Sequence, residues 1–481
     1  MGAKAETPLT VDRIFNAADL AHWCGGVWEN APTQLQGVMN DSRTIRAGNL
    51  YVALDGATVD GHDFVAQAIA AGAGGALVRA DWQPATPCPP LPLLRVADPL
   101  QALMALGRAY RRAVAPFMIG VTGSVGKSTV KEWTTALLAT TAPTAATCGN
   151  FNTDIGLPLS LLQMAPQTRL GVFELGISRP GELSPLCQTL EPDAAILCTI
   201  GPVHLEYFES IDAIVQEKAE LLRRTPASGF AVLDRGSPWF DTLRQQTSAR
   251  VVTVSHTATP ADYQALEPND LTGSFTLAGA AVARPRPMRT GVPGRHNILN
   301  VLLAIAAARN CGVGEDAIEA ALPYLPRMTM RWEQRAWRGL TLINDAYNAN
   351  PVAMDAAVKT FSAVAKGQRR ILVLGEMREL GSHAAAYHAA CGTCVASSGC
   401  DVLIAVGTAG GWLADAAEAQ GFAGRVIRVK DAREAGSALV AQARAGDWVL
   451  LKASRGVALE QALAAEWPDE SADAANRKGV S

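Results

Sequence analysis

Apolar and polar positions divide the chain into three blocks. The first, to about residue 112, carries short apolar runs, NLYVAL (49–54), GALVRA (75–80) and PLLRVAD (92–98). A stretch from Pro99 to Val114 with helical spacing follows them. The second block alternates strand-like and helix-like segments: MIGVTG (118–123), then a helix after Gly126; RLGVFELG (169–176), then GELSPLCQTL; DAAILCTI (193–200), then SIDAIVQEKAELLRR. It closes with HNILNVLLAIAAARN (296–310) and a short helix after Gly314. Such alternation predicts a mostly parallel sheet covered by helices on both faces. Pro323 and Pro326 mark the next boundary. Beyond it LTLINDAY, RRILVLGEM, DVLIAVG, GRVIRV and DWVLLKAS repeat the pattern. This third block reads as a dinucleotide-type open sheet that lacks GxGxxG at its first turn, and the polar end DESADAANRKGVS reads as frayed. The expected division is 1–112, 113–325 and 326–481.

Composition narrows the class without naming a chemistry. The 481 residues are 49% hydrophobic and 18% charged, with net charge −3. That balance is ordinary for a globular protein and gives no footprint for nucleic acid. No secretory signal opens the chain and no clean apolar run is long enough for a bilayer, so a cytoplasmic location is expected. Nine scattered cysteines suit reduced thiols. Cys391 and Cys394 have CxxC spacing, but no second pair accompanies them, so they read as small buried residues rather than a zinc or redox site.

The chemistry concentrates in GVTGSVGKST (120–129). The common phosphate loop, Gly-x4-Gly-Lys-Ser/Thr, would need glycine at 121, where Val121 stands. The stretch fits a longer form, Gly-x-Thr-Gly-x-x-Gly-Lys-Ser/Thr-Ser/Thr. An apolar strand runs into glycine-rich backbone and then directly into a helix, and a helix N-terminus binds phosphate. Gly123 and Gly126 allow close backbone approach, Lys127 neutralises the outer phosphates, and Ser128 reaches a magnesium ion. Ser124 and Thr129 complete the loop. The bland alternative is a tight strand-to-helix turn.

This longer loop resembles that of the Mur ligases, which build the bacterial cell-wall precursor, and of the related folylpolyglutamate synthases. GNFNTDIGLPLS, VFELGISRPGEL, GRHNILNVLLAIAAA, INDAYNANPVAMDAA and LGEMRELG carry the resemblance to the Mur ligases over nearly the whole chain. It is weakest over 235–290 and the last dozen residues. YNANP and LGEMRELG resemble the branch that joins D-alanyl-D-alanine to UDP-N-acetylmuramoyl-tripeptide. The Asp-Asn-Pro-Arg motif of the sister ligase is not found. The resemblance implies an α/β protein of three domains: a small UDP-binding domain, a central ATPase with a mostly parallel sheet, and a C-terminal Rossmann-like domain. It also implies a cytoplasmic monomer that uses ATP and Mg2+ and forms an acyl phosphate.

Residue by residue, the resemblance and the sequence give these expectations. Glu174 ends an apolar strand and holds magnesium; otherwise it is a solvated strand end or a cap for GELSPL. His204 helps hold a second magnesium, and Lys218 matches a lysine that relatives carry as a carbamate. For Lys218 the bland reading is a solvated lysine paired with Glu217 or Glu220. Asn297, Arg331, Asp345, Tyr347 and Asn348 surround the nucleotide. Ser42 and Arg43 contact the UDP moiety, with Asp60 and His62 as weaker candidates that shape a turn around Gly61. Asn152 and Thr153 lie near the sugar-peptide. Arg179 stands where the family often has histidine, and KASRGVALE (452–460) is looser than the usual Lys-Gly-Ser-Arg form. Both departures are expected to bear on the peptide end and to leave the ATP chemistry alone. The rival readings are another Mur-type ligase, a folylpolyglutamate synthase, or a non-catalytic ATP-binding module.

Overall fold

The computed structural model describes residues 13–56, 59–84, 90–337 and 339–466. The polar C-terminal stretch from 469 lies outside the described residues. In the first unit the three apolar runs become neighbouring strands, Leu50–Val52, Gly75–Arg79 and Leu93–Val96. They sit inside a five-stranded sheet that is parallel except where Val27–Glu29 meets Leu93–Val96. The helix Pro99–Val114 forms as its spacing predicts. The Asp98 carboxylate accepts from the N–H groups of Leu100 and Gln101, proline opens the first turn, and Ala115 ends it in the left-handed region (φ 54°). The helix thus runs through the expected seam at 112/113. Its Gly107 lies against Pro158, where a Cβ would sit 2.7 Å from Pro158 Cα. Leu103, Leu106 and Tyr110 join Leu157, Leu161 and Leu190 in one continuous apolar core.

The central sheet has nine strands. In spatial order they are Arg286–Arg289, Ser274–Ala278, Tyr263–Asn269, Arg250–Ser255, Phe230–Asp234, Ala194–Leu197, Phe117–Thr122, Leu170–Glu174 and Thr144–Ala146. The first two pairings are antiparallel and the rest parallel. The antiparallel extension falls in the segment where the resemblance is weakest. Strand periodicity sorts alternate residues to opposite faces. Met118, Phe173, Ala195 and Ala231 pack with the helices Leu183–Leu190 and Ile211–Arg224. Ile119, Val172, Ile196 and Val232 pack with Lys127–Leu138 and Arg295–Asn310. Both faces are covered, which is why these strands read as unbroken apolar runs.

The third unit is a six-stranded sheet in the order Glu333–Trp337, Leu340–Asn344, Trp448–Lys452, Arg370–Leu374, Val402–Val406, Arg425–Val429, antiparallel only at its first pair. Cys391 is buried on the helix Ala384–Ala396 and Cys394 is half-buried on it. Burial raises both thiols, as small packed residues require. Among the described residues no helix is long and apolar enough to cross a membrane.

Candidate active site

The strand Phe117–Thr122 sits deep in the central sheet, and its carboxyl end opens into the glycine-rich loop. That is where an open α/β sheet places its ligands. Gly123 takes φ 149°, and a Cβ there would lie 2.6 Å from Cys198 Cβ. The Ser124 and Val125 N–H groups both donate to Thr199 O (2.8 and 3.1 Å), and the Ser124 hydroxyl donates to Gly201 O (3.0 Å). Gly126 (φ 90°) precedes the helix Lys127–Leu138, which no side chain caps. Its first-turn N–H groups therefore remain for an anion. Lys127 Nζ folds back onto Gly123 O at 3.1 Å.

Glu174 ends the neighbouring strand. It is buried, so neither bland reading holds: it is not a solvated strand end, and the amides ahead of Leu183 are satisfied by Glu182 and Glu217. Its N–H donates to Thr147 Oγ1 (2.8 Å), and its Oε1 accepts from Asn152 Nδ2 (2.8 Å). Its Oε2 is buried with no partner. A buried carboxylate oxygen left unpaired is costly unless a cation completes it. Asn152 therefore orients Glu174 as well as lining the cleft, an assignment the sequence did not suggest. Thr153 lines the same wall.

His204 follows the adjacent strand with φ 53°. Its Nδ1 is hydrogen-bonded to the Glu379 carboxylate, and burial holds its pKa below the usual imidazole value. Lys218, on the helix behind the loop, is buried, and burial together with the nearby Lys127 charge pushes it down to about 7. Its bland partners are occupied elsewhere. Glu217 accepts from the N–H groups of Gly181 and Leu183, both at 2.9 Å, and Glu220 pairs with Arg223 and Arg224.

The third unit supplies the opposite wall. The Arg331 guanidinium stacks over the Tyr347 ring (4.1 Å to the centroid) and donates to Ser128 Oγ at 3.1 Å. Asp345 Oδ1 accepts from Trp332 N–H (3.1 Å), and Oδ2 pairs with Lys452 Nζ (2.6 Å). Lys452 also donates to Asn348 O at 3.1 Å. Through Lys452 the loose 452–460 stretch thus reaches Asp345 and Asn348, two of the residues expected around the nucleotide. Its strand and Leu340–Asn344 are parallel neighbours, and both deliver their ends to the cleft.

Together these groups line one cavity of about 890 Å3, which holds Ser124, Gly126, Lys127, Ser128, Thr129, Asn152, Thr153, Glu174, His204, Asn297, Arg331, Asp345, Tyr347 and Asn348. Gly123 and Lys218 stand behind its wall. Ser42 and Arg43 are not brought to it; Arg43 is an exposed side chain paired with Asp41 at 2.7 Å. Asp60 and His62 shape the turn around Gly61. Asp60 accepts from His62 N–H and contacts its Nδ1 (2.6 Å), while His62 Nε2 accepts from Arg79 N–H (3.0 Å). Arg179 lies over the Tyr207 ring, 5.0 Å from its centroid. Three further wall residues carry little signal in the sequence. His296, pushed down to about 4 by burial, and Asn300, beside Gly126, flank Asn297 inside GRHNILN, where helical spacing was the available signal. Trp133 bridges the units by donating to Pro326 O at 3.1 Å, and nothing in the sequence marks it.

Comparison with known proteins agrees along the chain. The Mur ligase family catalytic domain matches residues 34–111, the Mur ligase middle domain 121–308, and the Mur ligase glutamate ligase domain 327–455. A UDP-N-acetylmuramoyl-tripeptide–D-alanyl-D-alanine ligase of Bacillus subtilis is 33% identical over 89% of this chain and 92% of its own. The Escherichia coli ligase of the same name is 33% identical over 79% and 83%. A crystal structure of MurF from Acinetobacter baumannii superposes with TM-score 0.86 at 26% identity, covering 95% of this chain and 99% of that one. A phosphate loop, a buried acid and a stacked arginine meet in one cleft of a chain matched almost end to end, and that chain belongs to the Mur ligase family.

Proposed function

We propose that the chain is an ATP-dependent ligase that joins D-alanyl-D-alanine to UDP-N-acetylmuramoyl-tripeptide in peptidoglycan precursor synthesis. The observation that carries the reading is the buried, unpartnered Glu174 Oε2 beside an uncapped helix N-terminus bearing Lys127 and Ser128. That donor set fits a divalent cation next to a polyphosphate. Ser128, Glu174 and His204 would hold Mg2+, which supplies charge neutralisation at the phosphates when bound. Lys218 as a carbamate would supply a further anionic ligand.

This chain's own groups do the rest. The N–H groups of the helix's first turn and Lys127 bind and orient the β- and γ-phosphates. Asn297, Tyr347 and Asn348 border the rest of the nucleotide, and Arg331 lies where it can meet charge developing on the transferred phosphoryl group. The tripeptide's terminal carboxylate oxygen attacks the γ-phosphorus and ADP leaves, giving an acyl phosphate. The dipeptide's neutral amine then attacks the acyl carbon, the tetrahedral intermediate expels phosphate, and the amine proton is lost. Walls from separate units exclude water from the acyl phosphate. We assign 1–112 to the UDP-linked substrate through Ser42 and Arg43, 113–325 to ATP and 326–481 to the acceptor, in a cytoplasmic monomer.

Phosphate release from ATP with UDP-N-acetylmuramoyl-tripeptide, with and without D-alanyl-D-alanine, tests this. Release that needs both substrates and yields a UDP-pentapeptide is expected. Release only with another amine would move the acceptor, and ATP binding without release under any acceptor would favour a binding module.

A further inference from the structure

The stretch LGEMRELG takes no part in the steps above, yet its Glu379 reaches the central unit. The Glu379 carboxylate accepts from His204 Nδ1, and its carbonyl accepts from Glu206 N–H at 3.1 Å. Both contacting residues are non-glycine and left-handed, His204 at φ 53° and Glu379 at φ 63°. Such backbone is strained and persists where the surroundings over-determine it, often at working sites. The approach is close: a Cβ on Gly381 would lie 3.1 Å from Glu206 Cα. A carboxylate can only accept, so the ring proton of neutral His204 sits on Nδ1, and Nε2 keeps the lone pair on a residue that lines the cleft.

We propose that Glu379 is a positioning residue that fixes the ring orientation and tautomer of His204, so that a metal ligand of the central unit is set by a side chain of the C-terminal unit. The inference rests on the reading of His204 as a metal ligand. Outer-shell partners of ligating histidines act in this way by fixing the tautomer and raising ligand basicity.

The test is a Mn2+ titration followed by electron paramagnetic resonance, in the presence of a β,γ-methylene ATP analogue. It compares the full chain with Glu379→Ala, Glu379→Gln, His204→Ala and the double variant His204→Ala/Glu379→Ala, with thermal unfolding as the check on folding. Glu379→Ala should weaken Mn2+ by about tenfold or more. Glu379→Gln, which keeps an acceptor, should stay within about threefold of the unmodified chain. In the His204→Ala background, Glu379→Ala should cost nothing further. A folded Glu379→Ala with unchanged Mn2+ affinity, or an equal loss with and without His204, would overturn the inference and leave the ligase reading standing. No Mn2+ bound by the unmodified chain would overturn both.

Discussion

Lys218 offers the sharpest test of the site. With its pKa near 7 rather than 10.5, about three-quarters of the amine is neutral at pH 7.5, against roughly one part in a thousand for an exposed lysine. The supply of nucleophile for CO2 is thus several-hundred-fold larger. The amine adds to CO2 and releases a proton, leaving a carbamate anion within reach of the Lys127 charge. The expected result is a carbamate carbonyl resonance when the protein is held in 13C-bicarbonate. It should be absent from Lys218→Ala and should fall as pH drops below 7, where the amine protonates. Turnover lost in Lys218→Ala should return in part with a short carboxylic acid, which can occupy the vacated space as an anion. If the folded protein gives no resonance and the variant is not rescued, the carbamate is wrong and Lys218 acts as an amine or a packing group.

Lys127→Ala should lower turnover by about 10²–10³-fold with an unchanged melting temperature; near-normal turnover would remove the phosphate-loop assignment. Gly123→Ala must place a Cβ against Cys198 at a strained φ, so a loss of about 1–3 kcal/mol in urea unfolding is expected, and a neutral result would contradict the loop geometry. Lys452→Met removes the cation from Asp345 in a half-buried wall, leaving it the Trp332 N–H, and should cost about 1.5–3 kcal/mol by denaturant titration. Lys218→Met removes a group whose folded pKa lies below its unfolded value. Between pH 7 and 10.5 the unfolded chain binds the extra proton, so the unmodified protein gains about 1.4 kcal/mol per pH unit relative to the variant. The variant's advantage in CO2-free buffer should therefore be greatest below pH 7 and shrink as pH rises, and a pH-independent difference would refute the depressed pKa.

Much of the fold and of the site is legible in the residues themselves. Apolar runs bounded by glycine and proline locate the parallel strands because both faces of each sheet are covered, and GVTGSVGKST marks the phosphate loop because its chemistry is local. Less is legible over 263–289, where a small antiparallel extension joins the sheet. Strands there are half-exposed, with charged and proline positions that break the alternation.

The sequence by itself determined most of the elements and the loop, since helix and strand periods and a strand–loop–helix anion site need only neighbouring residues; the other groups expected around the loop were legible only through the family resemblance. Tertiary structure alone decided that Asn152 clamps one oxygen of Glu174 and leaves the other bare. It also decided that Glu217 and Glu220 are spent elsewhere, that Lys452 holds Asp345, and that Glu379 holds His204. These contacts join residues brought together by strand order and by the meeting of units. Burial then sets whether a lysine stays charged, through desolvation that the sequence does not encode locally.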